Sequence, residues 1–201
     1  MPPVRSKRSA LLALCLAFFL GALPGHAWAH PADVHPPSGV FFGAAPDIDP
    51  VIGVVAQGLF AYPVLQQPGD QPVSVTNDPQ SLTQFGMAAD FGSIGLLAHN
   101  FLAGAKFFDL TPGQRIYLIF GANRVETFEV TRILKFQALS PHSPYSDFRE
   151  LGNTSTITAA ELFKLAYGGN YHLTFQTCIE WNGEKSWGRL FVIAEPPGDE
   201  Q

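Results

Sequence analysis

Charged side chains are scarce in this sequence of 201 residues, in which Asp, Glu, Lys and Arg together make up 14%. An average soluble domain has about 25%. The 12 lysines and arginines are outnumbered by 17 acidic residues and form no cluster beyond the first ten positions. Because a protein that binds nucleic acid needs a basic patch or stripe, we expect no nucleic-acid partner.

Long apolar runs are absent after residue 29. Before it, three basic residues precede an uncharged apolar run over 10–23, and an Ala-Trp-Ala motif ends at Ala29. This order predicts a secretory signal peptide over 1–29 that is cleaved after Ala29. The run of about 14 residues is shorter than the ~20 that a membrane-spanning helix needs. A retained anchor, and with it contact with a membrane, is the alternative.

Cysteine is nearly absent, since the chain has only Cys15 and Cys178. Cys15 lies in the predicted signal peptide, so the exported chain keeps Cys178 alone and cannot form an internal disulfide. Nine basic and 17 acidic side chains then remain, a formal net charge of −8. A single cysteine in an oxidising compartment is buried and inert, joined to another chain, or kept as a reactive group. Composition leaves all three open.

Glycine, proline and phenylalanine are abundant and predict a compact, turn-rich, mostly β domain. We expect a Pro-rich linker over 30–50, one domain over 51–195 and a polar tail over 196–201. Short strands at close spacing favour a barrel or a sandwich. An apolar run covers 51–62, and strands are predicted at 72–76, 82–89, 93–99 and 171–178, with a loop or helical turn at 101–110 and a hairpin over 115–136.

One helix is predicted with clear boundary signals. It follows a Ser-, Pro-, Thr- and Asn-rich segment over 138–156, and loops of that length are often functional. Thr158 and Glu161 have the spacing of a capping box, in which each side chain satisfies a backbone amide of the other. The helix continues to Tyr167 and ends at the glycines that follow.

Two chemically useful side chains end predicted strands. Cys178 ends the strand over 171–178, before a polar loop expected over 180–187, and His99 ends the strand over 93–99. A rigid element that ends in a loop fixes a residue and admits a substrate. Arg189 lies 11 residues after Cys178, at the start of another apolar run. A structural interpretation stands beside each: a buried, inert cysteine and a capped or surface histidine.

Four short motifs carry a family resemblance. They are Leu-Ala-His-Asn up to Asn100, Thr-Pro-Gly-Gln-Arg-Ile-Tyr-Leu from Thr111, Leu-Thr-Phe-Gln-Thr-Cys up to Cys178, and Trp-Gly-Arg-Leu-Phe-Val-Ile from Trp187. Over about 51–195 the chain thereby resembles the sortases, whose signature is a Thr-Leu-x-Thr-Cys strand with a later arginine and an upstream histidine. The resemblance implies a mostly all-β fold, a closed eight-stranded sortase-type barrel with one or two short helices.

The resemblance also implies roles for three residues. Cys178 would attack a backbone carbonyl as a thiolate and form a thioacyl enzyme that an amine resolves. His99 would protonate the departing amine and deprotonate the incoming one. Arg189, which stays protonated, would hold the developing oxyanion or the peptide's carbonyls. The implied function is a secreted cysteine transpeptidase acting on a sorting-motif peptide of a surface protein and an amine acceptor.

Two mild departures from the family pattern are Ala98, where glycine is common, and Phe175, where leucine is usual. Thr177, beside the cysteine, and Trp187, in the expected loop, are candidate substrate-binding residues. Aromatic side chains in such a loop line a peptide groove or pack the loop itself.

No cofactor and no metal are expected. The alternative is a copper site in which the new N-terminal His30 is joined by His99, His142 or His172, although their spacing has no ligand signature.

Three other identities compete with a sortase-like enzyme. An L,D-transpeptidase needs a Gly-Cys-x-Arg loop, whereas Gln176 and Thr177 precede Cys178 here. An NlpC-type peptidase has its cysteine before the histidine in chain order, which is the reverse of this sequence. The third is a catalytically inactive barrel that binds peptide or cell-wall material.

Overall fold

The described part of the protein consists mostly of β-strands. The computed structural model describes residues 50–68, 71, 73–143 and 145–198. The predicted signal peptide, residues 30–49 of the predicted linker and residues 199–201 of the predicted tail lie outside these ranges. Within them, no helix combines the length and the apolar character that crossing a membrane requires.

The elements follow one another with short connections. The strands are β1 Val51–Ala56, β2 Phe60–Gln66, β3 Leu82–Phe85, β4 Ile94–Leu97, β5 Arg115–Phe120, β6 Val125–Ala138, β7 Phe148–Glu150, β8 Thr156–Ile157, β9 Leu173–Trp181 and β10 Glu184–Glu195. The α-helices are α1 Gly86–Ala89 and α2 Ala159–Tyr167, and 3₁₀ helices span Ala103–Asp109 and Gly121–Asn123.

Eight of these strands close into a barrel. Their order is β10-β9-β4-β3-β2-β1-β5-β6, and pairing of β6 with β10 completes the ring. The β2–β3 and β4–β9 pairs are parallel, and the other neighbours are antiparallel. The two short strands β7 and β8 extend the sheet from β6. The predicted closed eight-stranded, mostly β fold with short helices is confirmed.

Apolar side chains from all eight ring strands fill the barrel. Successive residues of a strand point to opposite faces, so Leu173 and Phe175 of β9 face inward together. The ring of Phe175 lies 5.0 Å from that of Phe107 and 6.2 Å from that of Phe60. Phe107 comes from the first 3₁₀ helix, which therefore packs into this core. Burial of each such ring contributes about 1.5–3 kcal/mol.

A second apolar cluster lies on the outer face of the barrel, where α2 packs. Phe163 and Tyr167 of α2 contact the ring of Phe85 in β3, and Tyr167 also contacts Phe191 in β10. A Cβ on Gly95 of β4 would lie 2.9 Å from the Cβ of Phe85 and 3.0 Å from the Tyr167 ring. The glycine is thus required for the helix to lie this close to the sheet.

The predicted capping box of α2 is confirmed. Thr158 Oγ1 accepts from the Glu161 amide at 3.2 Å, and a Glu161 carboxylate oxygen accepts from the Thr158 amide at 2.8 Å. The Thr158 hydroxyl also donates to the same carboxylate oxygen at 2.8 Å, and the backbone and side-chain bonds from Thr158 to this carboxylate lower the pKa of Glu161. The helix then ends at Tyr167, as the glycines predict.

Three local predictions differ from the structure. The described residues of 72–76 form no strand, and the Thr76 amide donates to the side chain of Thr83. The strand predicted over 82–89 is β3 followed by α1. The segment over 138–156 was predicted to be a loop, but it contains the strand β7, whose Phe148 is buried in the outer cluster.

Candidate active site

Strand β9 presents two different faces. Phe175 belongs to the barrel core, so Thr177 lies on the inner face and Gln176 and Cys178 lie on the outer face. Gln176 is covered by α2, because the hydroxyl of Tyr167 donates to its side-chain oxygen at 2.5 Å. Burial raises the pKa of Tyr167, which keeps this hydroxyl protonated. Cys178 is the next outer-face residue and is 6% exposed.

The parallel neighbour β4 brings His99 to the same level. Leu97 pairs with Gln176, and the Ala98 amide donates to the Gln176 carbonyl at 3.3 Å. Two residues further along both chains, His99 and Cys178 are side by side on the outer face. Neighbouring strands lie about 4.8 Å apart. The register therefore places a buried imidazole next to the thiol.

The antiparallel neighbour β10 brings Arg189 to the other side of the thiol. Arg189 and Cys178 are direct cross-strand partners, and such residues have Cβ atoms about 4.5–5.5 Å apart on the same face. Cys178 in β9, Arg189 in β10 and His99, two residues after the end of β4, thus form one row across these adjacent strands. We call these three residues the thiol row.

The guanidinium of Arg189 is held by the backbone next to it. Its Nη1 donates to the carbonyl of Ser186 at 3.0 Å and to that of Gly188 at 2.8 Å. The side chain is only 2% exposed. These bonds hold the planar guanidinium, which carries a permanent positive charge, beside Cys178. This arrangement can stabilise negative charge that develops there.

The ring of His99 is buried against an aromatic side chain. It stacks on Phe101 with a centroid distance of 5.3 Å and an interplanar angle of 15°. Burial lowers the pKa of His99 below its ordinary value, and a hydrogen bond with the Val75 backbone opposes part of this effect. The neutral imidazole, which accepts a proton, is therefore favoured near neutral pH.

Comparisons with known proteins identify the fold. No family model matches the sequence, and no curated protein matches it. Among solved structures, sortase A from Corynebacterium diphtheriae has a TM-score of 0.50 at 16% identity over 74% of this chain. The chain has a sortase-like fold. It covers 61% of the length of that matched chain, so the likeness is one of fold over part of the longer protein.

Two further sortases show the same range of similarity. Sortase A of Listeria monocytogenes has a TM-score of 0.48 at 13% identity, over 73% of this chain and 87% of that one. Sortase C-1 from Actinomyces oris has a TM-score of 0.48 at 15% identity, over 75% of this chain and 74% of that one.

The segment after Cys178 of this sortase-like barrel is a tight hairpin and not the loop that the sequence predicts. A polar loop was expected over 180–187, but β9 continues to Trp181 and β10 begins at Glu184. Only Asn182 and Gly183 connect them, with φ of 50° and 80°. Asn-Gly is the sequence that favours such a two-residue turn. Cys178 is thus the last buried residue of β9 rather than its last residue, and Arg189 lies within β10.

The two candidate substrate-binding residues have different positions. Thr177 faces away from the thiol row, is 3% exposed and donates to the Ala98 carbonyl at 2.8 Å. This bond joins β9 to the end of β4, and a contact of Thr177 with substrate stays a prediction. Trp187 is half-buried in the hairpin, where its ring lies 5.8 Å from that of Trp181. Its contact with substrate stays a prediction.

The described histidines of the suggested copper site have separate partners in the sortase-like barrel. His142 Nε2 is 2.9 Å from a carboxylate oxygen of Glu184. His172 is buried at the beginning of β9, far along the strand from Cys178. No group of three His, Cys, Asp or Glu side chains suited to a metal ion occurs among the described residues. His30 lies outside them.

Proposed function

We propose that this protein is a cysteine transpeptidase that cleaves a sorting-motif peptide of a surface protein and transfers its acyl part to an amine. The observation that carries the proposal is the thiol row. It joins a thiol and a fixed guanidinium on two adjacent strands of a sortase-like barrel to an imidazole just after the end of a third. The row thus contains a nucleophile, an acid–base group and a cation. The acid–base group and the cation lie on either side of the strand that carries Cys178.

The first half-reaction forms a thioester. The sulfur of Cys178 attacks the scissile carbonyl carbon while its proton passes to His99, and the carbonyl π electrons move to oxygen. Collapse of this intermediate restores the carbonyl and breaks the C–N bond. The imidazolium of His99 protonates the departing amine, which leaves an acyl group on Cys178.

The second half-reaction releases the acyl group. The amine acceptor attacks the thioester carbonyl, and His99 takes the proton that the nitrogen loses. Breakage of the C–S bond regenerates Cys178, whose sulfur recovers that proton. Burial of the row limits competing attack by water, because Cys178 and His99 are each 6% exposed.

Arg189 stabilises the charge that develops in both steps. Its guanidinium cannot act as a base, since it stays protonated. The Ser186 and Gly188 carbonyls orient its Nη1, so the charge is held in place before the reaction begins. Donors held in this way act on the transition state without reorganisation.

Export is part of the proposal. The predicted signal peptide over 1–29 would deliver the domain over 51–195 to the outside of the cell, joined to the linker over 30–50. Sequencing of the exported protein tests this. A mature chain that begins at His30 supports export with cleavage, and a chain that retains residues 1–29 shows an anchor.

An acyl-transfer assay tests the enzymatic claim. The protein is incubated with a peptide library and hydroxylamine, and hydroxamate products are scored by mass. We expect a hydroxamate from a subset of peptides and none from the Cys178→Ala variant. Absence of any product, or equal product from Cys178→Ala, contradicts the proposal. Binding of peptides by Cys178→Ala without turnover in either protein would support the inactive barrel.

A further inference from the structure

The hairpin beside the thiol row contains an irregularity. Trp181 pairs with Glu184, and the next pair is Ile179 with Gly188. Three residues of β10 therefore lie opposite one residue of β9, which gives β10 two additional residues. We call residues 185–187 the β10 bulge. Bulges of this kind redirect side chains and are frequent next to active sites.

One side of the β10 bulge contacts Arg189. Glu184 accepts a hydrogen bond from the Ser186 amide at 2.8 Å. The carbonyl of the same Ser186 accepts from Arg189 at 3.0 Å. Glu184 thus orients Ser186 of the bulge, and Ser186 in turn orients the guanidinium of Arg189.

The other side of the β10 bulge reaches His99. The ammonium nitrogen of Lys185 lies 4.7 Å from the centre of the Phe101 ring, and Phe101 stacks on His99. The side chain of Asn100 also donates to the Lys185 carbonyl at 3.3 Å. Because β9 lies between β4 and β10, these contacts cross the strand that carries Cys178.

We propose that Glu184 and Lys185 are positioning residues, which act through the β10 bulge and hold Arg189 and His99 on either side of Cys178. The proposal rests on the transpeptidase function proposed above. It adds that the geometry of the thiol row depends on the hairpin as well as on the three strands.

The physical reason is that acyl transfer depends on alignment. Arg189 acts only if its donors point at the place where the oxyanion forms, and His99 acts only if its ring reaches both nitrogen and sulfur. Loss of alignment lowers the rate of the chemical step more than it weakens substrate binding. The Glu184 carboxylate orients the Ser186 amide, and the Lys185 ammonium orients the Phe101 ring.

Paired substitutions test the role of Glu184. Glu184→Met removes the acceptor at nearly constant length, whereas Glu184→Gln keeps an oxygen that accepts from Ser186. We expect kcat in the hydroxylamine assay to fall about tenfold for Glu184→Met, with KM changed less than about twofold. Glu184→Gln and the control Glu180→Met, at an exposed position of the same hairpin, should keep the parent kcat.

The same design tests Lys185. Lys185→Met keeps the apolar stem and loses the cation, and Lys185→Arg keeps a cation over the Phe101 ring. We expect a smaller fall of kcat, about threefold, for Lys185→Met alone. Lys185→Arg and the control Lys135→Met, at an exposed position of β6, should match the parent protein.

A second readout does not require turnover. Side-chain NH resonances of Arg189 report how firmly the guanidinium is held, and ring resonances of His99 report its surroundings. Faster exchange of the Arg189 signals in Glu184→Met, with no change in Glu184→Gln, supports the proposal. Unchanged Arg189 signals together with parent kcat in Glu184→Met overturn it. If no peptide is turned over by the parent protein, the transpeptidase proposal fails and the resonances alone decide the positioning claim.

Discussion

The two ends of β9 each have a buried histidine, and the two histidines are used differently. At the beginning of the strand, His172 Nδ1 lies 2.6 Å from the Asn170 carbonyl oxygen, and its Nε2 lies 3.0 Å from that of Ala166. At the other end, His99 stacks on Phe101 at the level of Cys178. The two histidines are similarly buried, since His172 is 3% exposed and His99 is 6% exposed.

The comparison shows that contacts separate a structural histidine from a catalytic candidate better than burial does. Both ring nitrogens of His172 face backbone carbonyls, and Thr174 donates to the same Ala166 carbonyl at 2.6 Å. This end of β9 therefore anchors the C-terminus of α2. The other end places three reactive groups in one row, where a proton can move between neighbours.

Alanine substitution of each histidine is the strongest test of this contrast. We expect His99→Ala to lower the hydroxamate rate about 10³-fold, because general acid–base catalysis is lost. His172→Ala should lower the free energy of unfolding by about 2 kcal/mol, because a buried ring is removed and a backbone carbonyl loses its contact with a ring N–H. Rates per folded molecule and urea unfolding curves check both. A His172→Ala variant that loses catalysis while its stability is unchanged would remove the distinction.

Arg189→Lys tests whether the geometry of the guanidinium matters at the end of β9 that carries Cys178. The charge is retained, but lysine lacks the planar fork that contacts Ser186 and Gly188. We expect kcat to fall about 10²-fold, the loss typical of one oxyanion donor. Arg132→Lys on β6, at an exposed arginine, is the matched control and should keep full activity. Near-parent rates in Arg189→Lys would exclude Arg189 from the oxyanion role.

The pH dependence of stability gives a smaller effect. Burial lowers the pKa of His99 below its ordinary value of 6.5. Between the lowered pKa and 6.5 the unfolded chain binds a proton that the folded chain lacks, so stability rises with pH across this window and is reduced below it. His99→Asn removes this term, and urea unfolding at a series of pH values should show a flatter slope. An unchanged slope would contradict the assigned direction.

Much of the fold could be predicted because its signals are local or belong to a family pattern. The capping box at Thr158 and Glu161 depends on residues three apart, and the structure has both of its bonds. The closed barrel followed from motifs that resemble sortases. His99 and Cys178 were candidates because each stands near the end of a predicted strand.

The arrangement of the site depends on register, which the sequence alone does not specify here. His99 reaches Cys178 through parallel pairing of β4 with β9, strands that are far apart in the chain. The β10 bulge was hidden by the polar composition of 180–187. An Asn-Gly pair at Asn182 and Gly183 was the available signal for a tight hairpin. The face of β9 on which Thr177 lies depends on that same register.

The central claim is that Cys178 carries the acyl group, and trapping this intermediate tests it most directly. The protein is mixed with a peptide that yields hydroxamate, without any amine acceptor, then quenched in acid, digested and mapped by mass. The account predicts an acyl adduct on the fragment that contains Cys178 and its release by hydroxylamine. An acyl group found on another residue, or hydroxamate formed by Cys178→Ala, would contradict it.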